Sequence, residues 1–162
     1  MKSALVFFAV FVLSCQKGTL SGSVGELFPL NVARVELLRN DQAFQVSYYA
    51  DNGANVDIVA RLTLALEGTN FSPGHDLPLQ GADGSGHRKT SVIHLAAGEP
   101  ELIFPEVRQG DLHLSRGGSP GQMTQGDFSL SFVSSADVGG GRTLSGSFVG
   151  VAQDAGYGPG LN

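Results

Sequence analysis

The amino-acid sequence predicts an all-β protein, either an antiparallel β-sandwich or a closed β-barrel of about eight strands. Three observations support this prediction. Apolar residues occupy every even position over residues 56–66, which is the two-residue period of a strand with one buried face. Short apolar stretches recur along the chain between turn-forming residues. The 23 glycines and the low charged fraction of 15% are typical of sheets joined by tight turns.

In chain order, the first strands of the domain are predicted over residues 33–37 and 43–50. Phe44, Val46 and Tyr48 fall on one face of the second of these strands. Residues 51–55 contain the dipeptide Asn-Gly, a strong hairpin signal because both residues accept a positive φ. This turn therefore joins the second strand to the strand over residues 56–66.

The second half of the chain repeats the same alternation in shorter stretches. The predicted strands are a brief one around Leu77 and Leu79, then 91–97, 101–104, a strand around Leu112 and Leu114, one over Phe128, Leu130 and Phe132, and one over Leu144 to Phe148. The glycine-rich turns at 117–121 and 139–141 separate the last three. Neighbouring strands are therefore expected to pair as a meander.

The pentapeptide Thr-Leu-Ser-Gly-Ser occurs twice, at residues 19–23 and 143–147. Two copies do not make a solenoid, which needs several units at a short period. We expect two similar strands at opposite ends of one sheet, each with a glycine where another backbone approaches closely. Coincidence in a chain rich in glycine and serine is the alternative.

The N-terminus has the pattern of a segment that is removed after export. Lys2 precedes ten apolar residues, Ala4 to Leu13. Ten helical residues span about 15 Å, half of the roughly 30 Å hydrocarbon core of a bilayer, so the segment is too short to be a stable membrane span. Residues 1–14 are therefore interpreted as a signal peptide and excluded from the fold.

The residues Val12-Leu13-Ser14-Cys15 resemble the lipobox of bacterial lipoproteins. The resemblance implies cleavage before Cys15, a diacylglycerol on its sulfur and an acyl chain on its new amine. Several acyl chains hold a protein durably at a membrane, whereas one does not. Gln16, in place of an aspartate after the cysteine, implies transfer to the outer membrane of the cell envelope. The alternative is an ordinary secreted protein, but Cys15 is the one cysteine of the chain and cannot form an internal disulfide.

The domain itself resembles, in outline, small uncharacterised bacterial lipoproteins. The similarity lies in the strand sequences G-x-F-x-L-x-F at 126–132 and T-x-x-G-x-F at 143–148, and it implies no known activity. The expected organisation is a signal peptide over 1–14, an acylated cysteine with a short tether or first strand over 15–26, a single β domain over 27–153 and a flexible glycine-rich tail over 154–162.

Charge limits the classes of partner. The chain carries 10 basic and 15 acidic residues, a net charge of −5; removal of Lys2 with the signal peptide makes it −6. A mildly acidic chain without a basic cluster argues against nucleic acid and against electrostatic docking to anionic lipid. The membrane is therefore expected to be reached through the lipid anchor.

Two motif matches carry no chemistry. Residues 117–121 match the serine-hydrolase pattern G-x-S-x-G, but Pro120 lacks the N–H that an oxyanion hole needs and no helix pattern follows. Asp51, Asn55 and Asp57 resemble the start of a calcium loop, but Val56 and Leu62 stand where an EF-hand needs glycine and glutamate. These three residues are weak metal candidates, and a hairpin turn is the preferred interpretation.

The histidines offer one cluster for ligand contact. His75, Asp76, Asp83 and His87 share the long segment 70–90, which lacks a clear period. They are the candidate ligand-contact loop, with solvated loop residues as the plainer interpretation. His94 and His113 are expected at outward strand positions. No spacing typical of a zinc site is present, and no cofactor beyond the acyl chains is predicted.

The sequence therefore favours an envelope-anchored, non-catalytic binding or structural β module with an unidentified protein or glycan partner. Two alternatives stay open. A hydrolase of envelope polymers would bring His75, Asp76 and His87 together in one pocket, and an accessory subunit of an envelope machine would expose a large apolar patch.

Overall fold

The computed structural model describes residues 16–50 and 57–156, and over these residues the protein is all-β, as predicted. The ten strands are β1 (Lys17–Ser21), β2 (Arg34–Arg39), β3 (Ala43–Tyr49), β4 (Ile58–Ala65), β5 (Asp76–Pro78), β6 (Thr90–Leu95), β7 (Leu102–Ile103), β8 (Val107–Arg116), β9 (Met123–Phe132) and β10 (Thr143–Asp154). One 3-10 helix, Ser23–Glu26, follows β1. No helix within the described ranges has the length and apolar character needed to cross a bilayer.

The strands form one curled mixed sheet with the shape of a half-barrel. Along the sheet the order is β5-β8-β9-β10-β2-β3-β4-β6-β7, and β1 also pairs with β10. We call β5, β8, β9, β10 and β1 arm A, and β2, β3, β4, β6 and β7 arm B. Neighbouring described strands are antiparallel except β10 and β2, which run parallel over Ala152–Asp154 and Leu37–Arg39.

Strand β10 joins the two arms. Its residues 143–151 pair with β9, residues 145–149 pair with β1 on the other edge, and residues 152–154 pair with β2. The chain continues past the strand, where the Ala155 N–H donates to the Arg39 carbonyl over 2.9 Å. One strand twelve residues long therefore carries the sheet from arm A into arm B.

The core lies on the concave side, where the two arms face each other. The ring of Phe44 on β3 lies 5.7 Å from that of Phe148 on β10, and the ring of Tyr48 lies 6.2 Å from that of Phe128 on β9. Phe104 stacks on Phe132 with ring centroids 4.9 Å apart. Burying one such side chain contributes about 1.5–3 kcal/mol, so these contacts between arms stabilise the curl.

The strand predictions are largely confirmed. Strand β4 covers the described part of the stretch with period two, and Ala60, Leu62 and Leu64 are buried. Both meanders, β2-β3-β4 and β8-β9-β10, pair as expected, and the glycine-rich turn predictions at 117–121 and 139–141 are confirmed. The Asn-Gly dipeptide of the predicted hairpin lies outside the described residues.

Strand β3 is buried on both faces, which period two alone does not reveal. Its outward residues Gln45 and Ser47 are 2% and 1% exposed. The Thr63 hydroxyl donates to Gln45 Oε1 over 3.2 Å, and Arg61 Nε donates to Ser47 Oγ over 3.1 Å. Side chains of β4 therefore cover the polar outer face of β3 and satisfy its hydrogen bonds.

The two Thr-Leu-Ser-Gly-Ser copies lie side by side, so their predicted placement at opposite ends of the sheet is wrong. They pair antiparallel, with Thr19 opposite Ser147, Leu20 opposite Gly146, and Ser21 opposite Ser145. The Thr19 and Ser147 hydroxyls are 2.8 Å apart. In this register a threonine lies opposite a serine, so their hydroxyls can bond, and a leucine lies opposite a glycine, which leaves room for its side chain.

The expected close approach at glycine is present at this pair. A Cβ at Gly146 would lie 2.7 Å from Phe128 Cε1 and 2.9 Å from Leu20 Cδ2. A Cβ at Gly18 would lie 2.4 Å from Val35 Cγ2 and 2.6 Å from the Ser147 carbonyl oxygen. Gly18 therefore lets β1 enter the narrow space between β10 and β2.

We predict that Gly18→Ala destabilises the fold by about 1–3 kcal/mol, because the new methyl group overlaps Val35 and a backbone oxygen that cannot rotate away. The measurement is the urea midpoint of unfolding. Gly25→Ala is the matched control, since its Cβ would meet Leu30 at 3.4 Å, and its effect should stay within about 0.5 kcal/mol. Equal midpoints for the two variants would show that β1 is not tightly seated.

A second prediction concerns Tyr48, whose hydroxyl donates to the Ser147 carbonyl over 3.2 Å. Burial first, and the charge of Asp127 second, raise the pKa of Tyr48 far above its ordinary value of 10.0. The folded protein thus keeps this proton at a pH where the unfolded chain loses it. Stability is then fully present below pH of about 10 and falls as the pH rises further.

Tyr48→Phe removes that titrating group. At neutral pH the substitution should lower the free energy of unfolding by about 1 kcal/mol, because the hydrogen bond to Ser147 is lost. Above a pH of about 10, the wild-type free energy of unfolding should fall by about 1.4 kcal/mol per pH unit more steeply than that of the variant. Urea unfolding at a series of pH values measures both curves, and parallel curves would contradict the burial of the hydroxyl.

Candidate functional site

A candidate site is a pocket at one end of arm B, beneath an apolar segment that has no regular secondary structure. This segment, residues 27–33, connects the 3-10 helix to β2. The pocket has a volume of about 620 Å³. It is lined by Leu27, Phe28, Pro29, Asn31, Val32, Ala33, Ala50, Asp57, Val59, His94, Ala96 and Glu99. We call it the Phe28/His94 pocket.

A stacked pair of rings forms one wall. The Phe28 ring lies parallel to the His94 imidazole, with centroids 3.8 Å apart and planes inclined by 12°. The edge of Phe28 also meets Phe104 at 6.2 Å. The stack therefore connects the segment 27–33 to β6 and, through Phe104, to the core.

His94 is held by the backbone of β4. Its Nδ1 lies 2.9 Å from the Val59 carbonyl oxygen. A carbonyl oxygen only accepts, so Nδ1 carries the hydrogen and Nε2 is the acceptor atom of the neutral ring. The prediction of an outward position is wrong for His94, since it lies between β4 and Phe28 on the same side of β6 as the buried Val92.

The segment over the pocket is fixed at both ends. At its start, the Leu27 N–H donates to the carbonyl of Val24, which is 1% exposed. At its end, the Ala33 N–H donates to the Tyr49 carbonyl over 2.8 Å. Since the stack holds its middle, the pocket is already formed in this structure, as most small-molecule sites are.

The charge in the pocket is acidic. Its titratable lining residues are Asp57, Glu99 and His94, and none of the described lining residues is a lysine or an arginine. Asp57 Oδ1 accepts the Ala97 N–H over 2.7 Å, which orients that carboxylate at the start of β4. The site therefore offers acceptor atoms and negative charge at the rim of an apolar cleft.

The predicted ligand-contact residues fall into separate arrangements. Asp76 Oδ1 lies 2.9 Å from Nδ1 of His113, across the β5–β8 pair and on the exposed face of arm A. His75 is exposed, with its Nδ1 3.3 Å from the Pro73 carbonyl. The outward position predicted for His113 is consistent with this pairing.

Asp83 and His87 belong to a turn. Asp83 Oδ1 accepts the N–H groups of Ser85 and His87, each over 2.9 Å, and this caps the turn closed by the Ala82–Arg88 bridge. The His87 side chain is 81% exposed. Asp83 thus has a structural task, and the hydrogen bonds link neither residue to His75 or Asp76.

The metal candidates are only partly placed. Asp51 and Asn55 lie outside the described residues, and Asp57 lies in the pocket. Within residues 16–50 and 57–156, no group of three or more histidine, cysteine, aspartate or glutamate side chains is arranged to hold a metal ion. Cys15, the predicted lipidation site, also lies outside the described residues.

The sequence analysis missed the segment 27–33 and the role of His94. A usable signal was present, because Leu27, Phe28, Leu30 and Val32 form an apolar run with a proline that fits no strand. Apolar residues outside any regular element must cover something apolar. The run gave no indication of which surface it covers.

Comparisons with known proteins add no relative, since the chain matches no family model, no curated protein and no solved structure.

We predict that Phe28→Ala releases the segment 27–33, because it removes both ring contacts that hold the middle of the segment. The Ala33 amide should exchange its hydrogen at least tenfold faster, corresponding to about 1.4 kcal/mol of lost local stability. Hydrogen exchange followed by NMR measures this rate. Leu27→Ala is the control, since Leu27 is 37% exposed, and unchanged exchange in Phe28→Ala would mean that the stack does not hold the segment.

Proposed function

We propose that the chain is a lipid-anchored protein of the bacterial cell envelope that binds a small ligand in the Phe28/His94 pocket without catalysing a reaction. The observation that carries the binding function is the pocket itself, formed before any ligand arrives and held by hydrogen bonds and a ring stack. Pockets of this size that are mainly apolar, with a few convergent polar groups, are the usual form of small-molecule sites.

The anchor in this proposal is Cys15, within the lipobox-like residues 12–15. The described chain is part of the fold from Gln16 onward. The Gln16 side chain already packs beside Gly150, where a Cβ would lie 3.2 Å from Gln16 Cγ, and β1 begins at Lys17. Two residues of extended chain reach about 7 Å, so acyl chains on Cys15 would hold the domain close to the membrane surface.

A non-catalytic role fits the remaining polar groups better than hydrolysis does. A hydrolase of envelope polymers needs an acid and a base that face one bond. His75, Asp76 and His87 are engaged in different local hydrogen bonds, and Asp83 caps a turn. None of these hydrogen bonds joins two of the three residues His75, Asp76 and His87, so they offer the hydrolase alternative little support.

For the architecture, we propose a sandwich whose two layers are arms A and B, with β10 passing from one to the other. The ring contacts between the arms support face-to-face packing. A closed barrel would need β5 and β7 to pair at the two ends of the sheet, and the observed strand order leaves them apart among the described residues.

The anchor is tested with Cys15→Ser in a Gram-negative host. This change removes the sulfur that would carry the lipid, so the protein should lose labelling by radioactive palmitate and leave the membrane fraction. Gln16→Asp is the matched control. It keeps Cys15, so labelling should persist, but the protein should move from the outer to the inner membrane fraction. Firm membrane association of Cys15→Ser would refute the anchor.

A further inference from the structure

We propose that the Phe28/His94 pocket selects organic cations, namely molecules with a small apolar body and one protonated amine. This inference rests on the proposed binding function and adds the chemical class of its ligand. The basis is the distribution of apolar and charged groups around the cavity.

The walls fit an aromatic or branched aliphatic group. Leu27, Phe28, Pro29 and Val32 come from the segment over the pocket, and Val59 lies below on β4. A volume of about 620 Å³ falls within the roughly 300–1,000 Å³ of small-molecule sites. Because Phe28 is held flat against His94, this wall is rigid, and binding need not order it first.

The polar groups fit a cation. Glu99 supplies a carboxylate from the turn after β6, and the Glu99 N–H donates to the Ala96 carbonyl over 3.1 Å, which fixes the backbone of that turn. Asp57 supplies a second carboxylate from the start of β4. Glu99 is exposed at the rim and Asp57 is half-buried and holds the Ala97 N–H, so the attraction for a protonated amine comes mainly from the Glu99 carboxylate beside the apolar walls.

An anion is disfavoured by the same arrangement. None of the described lining residues brings a lysine or arginine, so a carboxylate or phosphate would enter next to Asp57 and Glu99 without a cationic partner. His94 donates its Nδ1 hydrogen to the Val59 carbonyl, so that donor is not available to a ligand. The pocket thus presents acceptors and offers few donors.

The test uses three probes of similar size, which are 2-phenylethylammonium, neutral 2-phenylethanol and anionic 3-phenylpropionate. Each is titrated into the full chain in a neutral detergent, and amide shifts of Ala33, Ala50, Val59 and Ala96 are followed by NMR. The amine should bind about tenfold more tightly than the alcohol, equivalent to roughly 1.4 kcal/mol, and the carboxylate should bind most weakly.

Two glutamate variants test whether the charge of Glu99 causes the preference for the amine. Glu99→Gln keeps the shape of the pocket and removes one charge, so the affinity for the amine should fall about three- to tenfold while that for the alcohol stays unchanged. Glu101→Gln is the matched control, since Glu101 is an exposed acid two residues further on that does not line the pocket. It should leave all three affinities unchanged.

The outcomes separate the two proposals. Equal affinity for amine and alcohol, or equal effects of the two glutamate variants, would overturn cation selection while leaving a functional pocket. Absence of pocket shifts with every probe would overturn both the selection and the binding function. Membrane release of Cys15→Ser bears on neither result, because the anchor is tested without the probes.

Discussion

The fold depends on one constraint, which is that β10 of arm A also pairs with arm B. Its first nine residues pair with β9 and its last three pair with β2, so the sheet passes from one arm to the other along a single strand. The parallel link itself is short. The arms keep their positions because Phe148 of β10 meets Phe44, and Tyr48 donates across the interior to Ser147. Packing on the concave side therefore holds the two arms of the half-barrel together.

The alternation of apolar residues along the sequence predicted the strands, but it did not predict which strands pair with each other. The alternation in β4 and β9 specified each strand and its buried face, and short turns specified the antiparallel meanders. The pairing of β10 with β2 and with β1 joins residues more than one hundred positions apart. Period two records which face is buried but not which strand is the neighbour, so these pairings have no local signal.

The candidate site was harder to predict for a related reason. The polar segment 70–90 was predicted to contact a ligand. In the structure Asp83 instead accepts hydrogen bonds within a turn, and Asp76 pairs with His113 of β8. His94 stands among Val92, Ile93 and Leu95, and such a run leaves the inward face undecided. The pocket arises where an aperiodic apolar segment meets the end of a sheet. That junction depends on the fold as a whole.

The pairing of β1 with β10 also sets the order in which the chain can be completed. Among the described strands the first, β1, has its partner in the last, β10, so arm A lacks part of its pairing until residues 143–154 have been made. Closing a loop of that length is entropically slow, and until then β1 has an unpaired edge. The β1–β10 pairing therefore forms only after nearly the whole described sequence has been synthesised.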